Sequence, residues 1–108
     1  MSKHTPEEVA VGIVSTFQRR AKVALGIMEK SISETAEEGG WTRQSFYQAL
    51  RQPNPTIKTV SRVAHAIYPG RYLVYYLLGN GTIDDMVRYL HKQRNLDKEI
   101  RDGFQRNV

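Results

Sequence analysis

The chain has 108 residues, 40% hydrophobic and 25% charged, which is enough for one modest core and too short for two. It has no cysteine, which excludes a disulfide framework and any thiolate metal site and accords with a cytoplasmic protein. Sixteen Lys and Arg against eleven Asp and Glu leave a net charge of +5, a balance that favours a polyanionic partner, nucleic acid first.

Met1-Ser2-Lys3-His4-Thr5 runs into Glu7 and Glu8, which is not the pattern of a secretory signal. No apolar run approaches the ~20 residues of a membrane span, so no membrane partner is expected. Thr5-Pro6-Glu7-Glu8 reads as a helix start, with Thr5 as N-cap, Pro6 at the first helical position and Glu8 closing a capping box. Ala10, Val14, Phe17, Ala21, Ala24 and Met28 then recur at alternating four- and three-residue spacing. That predicts one apolar helical face to about Lys30, flanked by solvated Arg19, Arg20 and Lys22.

Ser31 with Glu34 is a second capping box and opens a short helix over about 32–38, which Gly39-Gly40 ends. Trp41 follows in the turn. Thr42 caps a helix over about 43–51 with Phe46, Ala49 and Leu50 inward, and Pro53-Asn54-Pro55 stops it. Thr56 caps the next helix, about 57–67, with Ile57, Val60, Val63, Ala64 and Ile67 inward. After the break at Tyr68-Pro69-Gly70, residues 71–78 are apolar and tyrosine-rich, and periodicity leaves both helix and strand open. Gly79-Asn80-Gly81 is a turn. Thr82 and Asp85 start a helix to about Gln93 with Ile83, Met86, Val87 and Leu90 on one face. Leu96, Ile100 and Phe104 suggest a separate, weaker last helix.

The fold class read from this is all-α: a helix-turn-helix bundle over 1–68, with a long first helix and the motif at 32–51, followed by a C-terminal extension over 69–108. The motif needs a small residue in its first helix, where the second crosses closely, and Ala36 is there. It needs a turn glycine four residues later, an apolar plug after it and apolar residues inside the second helix. Gly40, Trp41, and Phe46 with Ala49 or Leu50 meet these needs. Gly39 stands where an apolar residue is more usual and predicts a looser end to the first helix.

Ala36-Glu37-Glu38-Gly39-Gly40-Trp41-Thr42-Arg43-Gln44-Ser45-Phe46-Tyr47-Gln48-Ala49-Leu50 resembles the helix-turn-helix of addiction-module antidote (antitoxin) proteins, in the lambda-repressor-like group. That family's pattern is alanine, three residues, glycine, apolar, serine or threonine, arginine, any residue, serine, apolar, tyrosine, any residue, alanine, leucine. Asn54-Pro55-Thr56-Ile57-Lys58-Thr59-Val60 is similar to its next helix start, so the resemblance spans about 32–68. It implies a lambda-repressor-like fold and, as an antitoxin, a toxin partner and repression of the protein's own operon.

The second helix of such a motif enters the major groove with its N-terminal part nearest the bases. Arg43, Gln44, Tyr47 and Gln48 project from its outer face and are the expected base contacts, since arginine pairs bidentately with guanine and glutamine with adenine. Thr42, Ser45, Arg51, Thr56 and Lys58 lie at helix ends or flanks, where phosphate contacts are expected. Residues 42–62 carry Arg43, Arg51, Lys58 and Arg62 and no acid. An ordinary solvated helix face is the competing account of these side chains.

The expected function is a sequence-specific, double-stranded-DNA-binding transcriptional regulator, a repressor acting as a homodimer. The alternatives are an antitoxin and a protein-interaction module that has lost DNA binding. Dimerisation is assigned by exclusion to Tyr72, Leu73, Tyr76 and Leu77 with Ile83, Met86, Val87 and Leu90. The tyrosines at 68, 72, 75, 76 and 89 alternate with leucine and valine, which favours packing over base stacking. His4, His65 and His91 lack ligand spacing, and no nucleophile elbow, phosphate loop or paired-carboxylate signature occurs. No metal, cofactor or enzymatic activity is expected.

Overall fold

The computed structural model describes the backbone of residues 6–52 and 55–106, and the side chains of 16–52 and 55–103. The expectations for Thr5, Pro53, Asn54 and the side chains of Pro6, Glu8, Ala10, Val14 and Phe104 lie outside the described residues. Six helices and no strand occur among the described residues: α1 Pro6–Ile27, α2 Ile32–Glu38, α3 Arg43–Leu50, α4 Ile57–Ile67, α5 Arg71–Leu77 and α6 Ile83–Arg106. No helix among them is long and apolar enough to cross a membrane.

Short polar caps fix most helix starts. Ser31 Oγ accepts from the Glu34 N–H at 3.1 Å, Thr42 Oγ1 from the Ser45 N–H at 3.0 Å, and Thr56 Oγ1 from the Thr59 N–H at 3.1 Å. Thr82 and Asp85 cap each other reciprocally, at 3.1 and 3.2 Å. Each cap satisfies a backbone donor that the helix itself leaves free.

The helix ends are equally specific. α1 stops at Ile27 because Glu29 takes a left-handed φ of 54°. The Lys30 N–H then bonds Leu25 O at 3.0 Å, and the Glu29 N–H bonds Gly26 O at 3.1 Å. A non-glycine residue in this conformation costs about 1–2 kcal/mol. Arg94 of α6 holds this turn, since it pairs with the Glu29 carboxylate at 2.7 Å and donates to Ile27 O at 3.1 Å.

One core gathers a face from every helix: Phe17, Ala21, Ala24 and Leu25 from α1, Ala36 from α2, Phe46, Ala49 and Leu50 from α3, Val60, Val63, Ala64, Ala66 and Ile67 from α4, Leu73 and Leu77 from α5, and Met86 and Leu90 from α6. Thr35 is the polar residue buried with them, and its hydroxyl donates to Ser31 O at 2.7 Å.

The structure settles the conformation that periodicity leaves open after Gly70 and corrects several other expectations. Residues 71–77 are helical, because Leu73 and Leu77 one turn apart both reach the core. α6 is one continuous helix of 24 residues, with no break after Gln93. Nothing between Gln93 and Ile100 is a helix breaker, and Arg94 and Gln93 are held by contacts to α1 and Tyr68. α5 and the first half of α6 contribute Leu73, Leu77, Met86 and Leu90 to the same core as the helices before them.

Burial corrects four of the eight residues expected at a dimer seam. Leu73, Leu77, Met86 and Leu90 are at most 2% exposed within the single chain and have no surface left for a partner. Tyr76, Ile83 and Val87 are half-buried, and Tyr72 alone of the eight is exposed. Ile57, expected inward, is 70% exposed at the start of α4. Arg20 is not merely solvated. Its guanidinium donates to Tyr76 O and Asn80 O at 2.9 Å and to Gly81 O at 3.0 Å, so it holds the α5–α6 turn.

Candidate nucleic-acid interface

α2 and α3 are joined by a tight turn. The Gly40 N–H bonds Glu37 O at 3.2 Å and the Trp41 N–H bonds Ala36 O at 2.7 Å, the paired bonds of a Schellman end. Gly40 supplies the left-handed φ of 72° that this end needs, and a Cβ there would meet open space. Gly39 differs. Its φ of −86° suits any residue, but a Cβ would lie 2.9 Å from the Cβ of Ala66 and 2.9 Å from Trp41 Cδ1. The glycine therefore lets α4 approach the turn closely, and the end it makes is tight where the sequence predicts a looser one.

Trp41 plugs the angle between the helices. Its ring meets Phe46 edge-on with centroids 5.7 Å apart, and the Arg62 guanidinium of α4 lies 3.8 Å from its centre. Arg62 also donates to Gly40 O at 3.4 Å, so one α4 side chain clamps both the tryptophan and the turn. Nε1 of Trp41 is buried without a hydrogen-bond partner.

α3 is divided cleanly by its period. Phe46, Ala49 and Leu50 are buried, while Arg43, Gln44, Tyr47 and Gln48 are exposed on the opposite face. These four side chains and Arg51 line one shallow, open concavity, and the Arg51 guanidinium lies 5.5 Å from the Tyr47 ring centre. All four expected base contacts are thus adjacent on one surface with Arg51. Thr42, Ser45, Thr56 and Lys58 are exposed at the first turns of α3 and α4.

The motif's second helix and the helix after it carry basic side chains and no acid. Ion pairs among the described residues join Lys30 to Glu38, Arg88 to Asp85 and Arg94 to Glu29. Arg43, Arg51 and Lys58 pair with no carboxylate among the described residues. The acid-free run is also longer than the motif, since no carboxylate occurs between Glu38 and Asp84.

The helix starts differ in one feature that capping patterns alone do not single out. The third helical residue is Glu34 in α2 and Asp85 in α6, but Ser45 in α3 and Thr59 in α4. There the cap hydroxyls meet hydroxyls instead, Thr42 to Ser45 at 2.8 Å and Thr56 to Thr59 at 3.1 Å. The signal is legible as Thr-x-x-Ser and Thr-x-x-Thr in place of Ser-x-x-Glu and Thr-x-x-Asp. Both starts keep their positive dipole ends free of a first-turn acid. No family model matches this chain, and neither a curated protein nor a solved structure does.

Proposed function

We propose that this chain is a sequence-specific, double-stranded-DNA-binding transcriptional regulator of the lambda-repressor-like helix-turn-helix type. α2 and α3 form the motif, and α3 enters the major groove. Arg43 and Gln44, near the N-terminus of α3, read base edges with Gln48, and Tyr47 lies beside them. Thr42, Ser45, Arg51, Thr56 and Lys58 hold phosphates on either side, and the first turns of α3 and α4 add backbone N–H donors.

The observation that carries this reading is the outer face of α3. Four adjacent exposed side chains, two of them glutamines, one an arginine and one a tyrosine, stand on a helix whose other face is locked into the core, within a stretch of sequence that has no acid from Gly39 to Ile83. A protein-interaction module that had lost DNA binding has no need of a recognition face free of carboxylates. As a homodimer, the protein would set two α3 helices about 34–36 Å apart on a two-fold operator.

Selection of bound sequences from random double-stranded DNA tests the reading. The expected result is one enriched sequence with two-fold symmetry, and no enrichment refutes it. Arg43→Ala with Gln44→Ala is expected to abolish the preference while leaving the helical content unchanged, since both side chains are exposed. A good bidentate pair contributes about 1–3 kcal/mol of discrimination.

A further inference from the structure

Burial of Leu73, Leu77, Met86 and Leu90 removes half of the expected seam and leaves Tyr72 exposed beside an apolar stretch of α6. α6 runs for 24 residues, about 36 Å, and residues 95–101 are exposed throughout. Within that stretch Leu96 is 41% and Ile100 69% exposed. Tyr89, Gln93, Leu96 and Ile100 follow one another at four, three and four residues, the spacing of a coiled-coil seam.

The first half of this seam lies against the tyrosine cluster of the same chain. Tyr89 has Tyr72 at 5.5 Å and Tyr76 at 5.8 Å between ring centres, and the Tyr68 hydroxyl lies 3.4 Å from Gln93 Oε1. Tyr72 and Tyr75 are themselves 52% and 49% exposed. The exposed Tyr72 and Tyr75 beside Tyr89, and the exposed Leu96 and Ile100 beyond Gln93, thus supply apolar side chains at both ends of the seam.

We propose that α6 of one copy pairs antiparallel with α6 of a second copy, each C-terminal half lying along the partner's Tyr72–Tyr89 surface. The charges beside the seam specify the occupant. Lys92 and Glu99 stand one heptad apart on the same edge, both exposed and without an ion pair among the described residues. In an antiparallel pair with Leu96 opposite Gln93, and Ile100 opposite Tyr89, Lys92 meets Glu99 of the partner subunit. Two-fold symmetry forms that contact twice. Sliding the helices by one heptad, so that Leu96 meets Ile100, brings the two Glu99 carboxylates together. A parallel pair would direct Lys92 to Asp97, which the Tyr68 hydroxyl already approaches at 3.3 Å.

This interface deepens the regulator reading by giving its homodimer a surface, and it rests on that reading only for its use. The test is sedimentation of the DNA-free, full-length protein over a concentration series, with far-ultraviolet circular dichroism to confirm that each variant is folded. The wild type is expected to be a dimer at micromolar concentration. Ile100→Glu is expected to raise the dissociation constant at least tenfold. Lys92→Glu alone and Glu99→Lys alone each place like charges opposite and weaken the dimer, and the two together restore it. A monomeric wild type, a folded Ile100→Glu dimer of unchanged affinity, or a double variant no tighter than the single ones overturns the proposal. A monomer that still selects a DNA sequence removes this interface alone, and a dimer that selects none removes the regulator reading alone.

Discussion

Replacing Gly39 by alanine tests how the turn sets the position of α3. The added Cβ would stand 2.9 Å from Ala66 Cβ and 2.9 Å from Trp41 Cδ1. Nonbonded carbons settle at about 3.5–4.0 Å, so each contact is too short by roughly 0.6–1 Å. Neither neighbour yields easily. The Cβ of Ala66 is fixed to the α4 backbone and buried, and Trp41 is held between Phe46 and Arg62. Relief requires α4 to move away from the turn, at an overpacking cost of about 1–3 kcal/mol. Against it stands a gain of about 0.4–1 kcal/mol from restricting the unfolded chain, because the φ of −86° suits alanine.

The net effect is a loss of about 1–2 kcal/mol, a fall in melting temperature of roughly 5–15 °C for a chain of this size. Two other glycines calibrate the result. Gly40→Ala meets no atom within 4 Å but keeps a φ of 72°, and is expected to cost about 1 kcal/mol through the backbone alone. Gly26→Ala in exposed α1 also meets nothing and is expected to stabilise by up to ~1 kcal/mol. Urea and thermal unfolding followed by circular dichroism and by the emission of Trp41, the only tryptophan, separate the three. Only Gly39→Ala is expected to shift the native emission. If Gly39→Ala is as stable as the wild type, the close approach of α4 is wrong.

Arg20→Ala removes three donors to the carbonyls of the α5–α6 turn and is expected to cost about 1–3 kcal/mol in urea unfolding, whereas Arg19→Ala on the exposed flank changes stability little. The Thr82 N–H and the Arg88 guanidinium hold the Asp85 carboxyl below the usual carboxylate range. The folded state thus favours its ionised form, so that its contribution is present above the ordinary carboxylate pKa and is lost as pH falls through the lowered one. Asp85→Asn is expected to lower stability at neutral pH and to flatten the acid limb of a stability–pH curve. Lys58→Ala is expected to weaken DNA binding evenly across sequences and to reduce the salt slope by about one, read from titrations at several salt concentrations.

What the sequence discloses here follows from how local each determinant is. The bounds of α2, α3 and α4 are legible because Ser31, Thr42 and Thr56 cap them through bonds only three residues long. The outer face of α3 is legible for the same reason, since a fixed start and a buried Phe46, Ala49 and Leu50 leave Arg43, Gln44, Tyr47 and Gln48 a single direction. Periodicity marks a face as apolar but not what it packs against, so the stripe of Leu73, Leu77, Met86 and Leu90 reads equally as core or as dimer seam. Arg20 reaches carbonyls 56 to 61 residues away, and no local pattern announces such a contact. Gly39 looks like a loose end because its reason lies in Ala66, on another helix.

The helix starts carry a further consequence that separates stability from binding. A carboxylate at the third helical position completes a capping box and suits the positive end of the helix dipole. In α6 Asp85 accepts from the Thr82 N–H and in α2 Glu34 accepts from the Ser31 hydroxyl, but α3 and α4 have Ser45 and Thr59 there. If stability alone decided the choice, all four would be acids. Introducing both acids, Ser45→Glu with Thr59→Glu, is therefore expected to stabilise the fold, by about 0.3–1 kcal/mol at each helix. The same carboxylates would stand where phosphate oxygens are proposed to lie, so DNA binding is expected to fall for every sequence, most steeply at low salt. Unfolding and DNA titration on one preparation read the two effects, which have opposite signs. A double variant that binds DNA as tightly as the wild type means that these helix starts do not face the backbone. One that loses stability means that the hydroxyl pairs serve the fold itself.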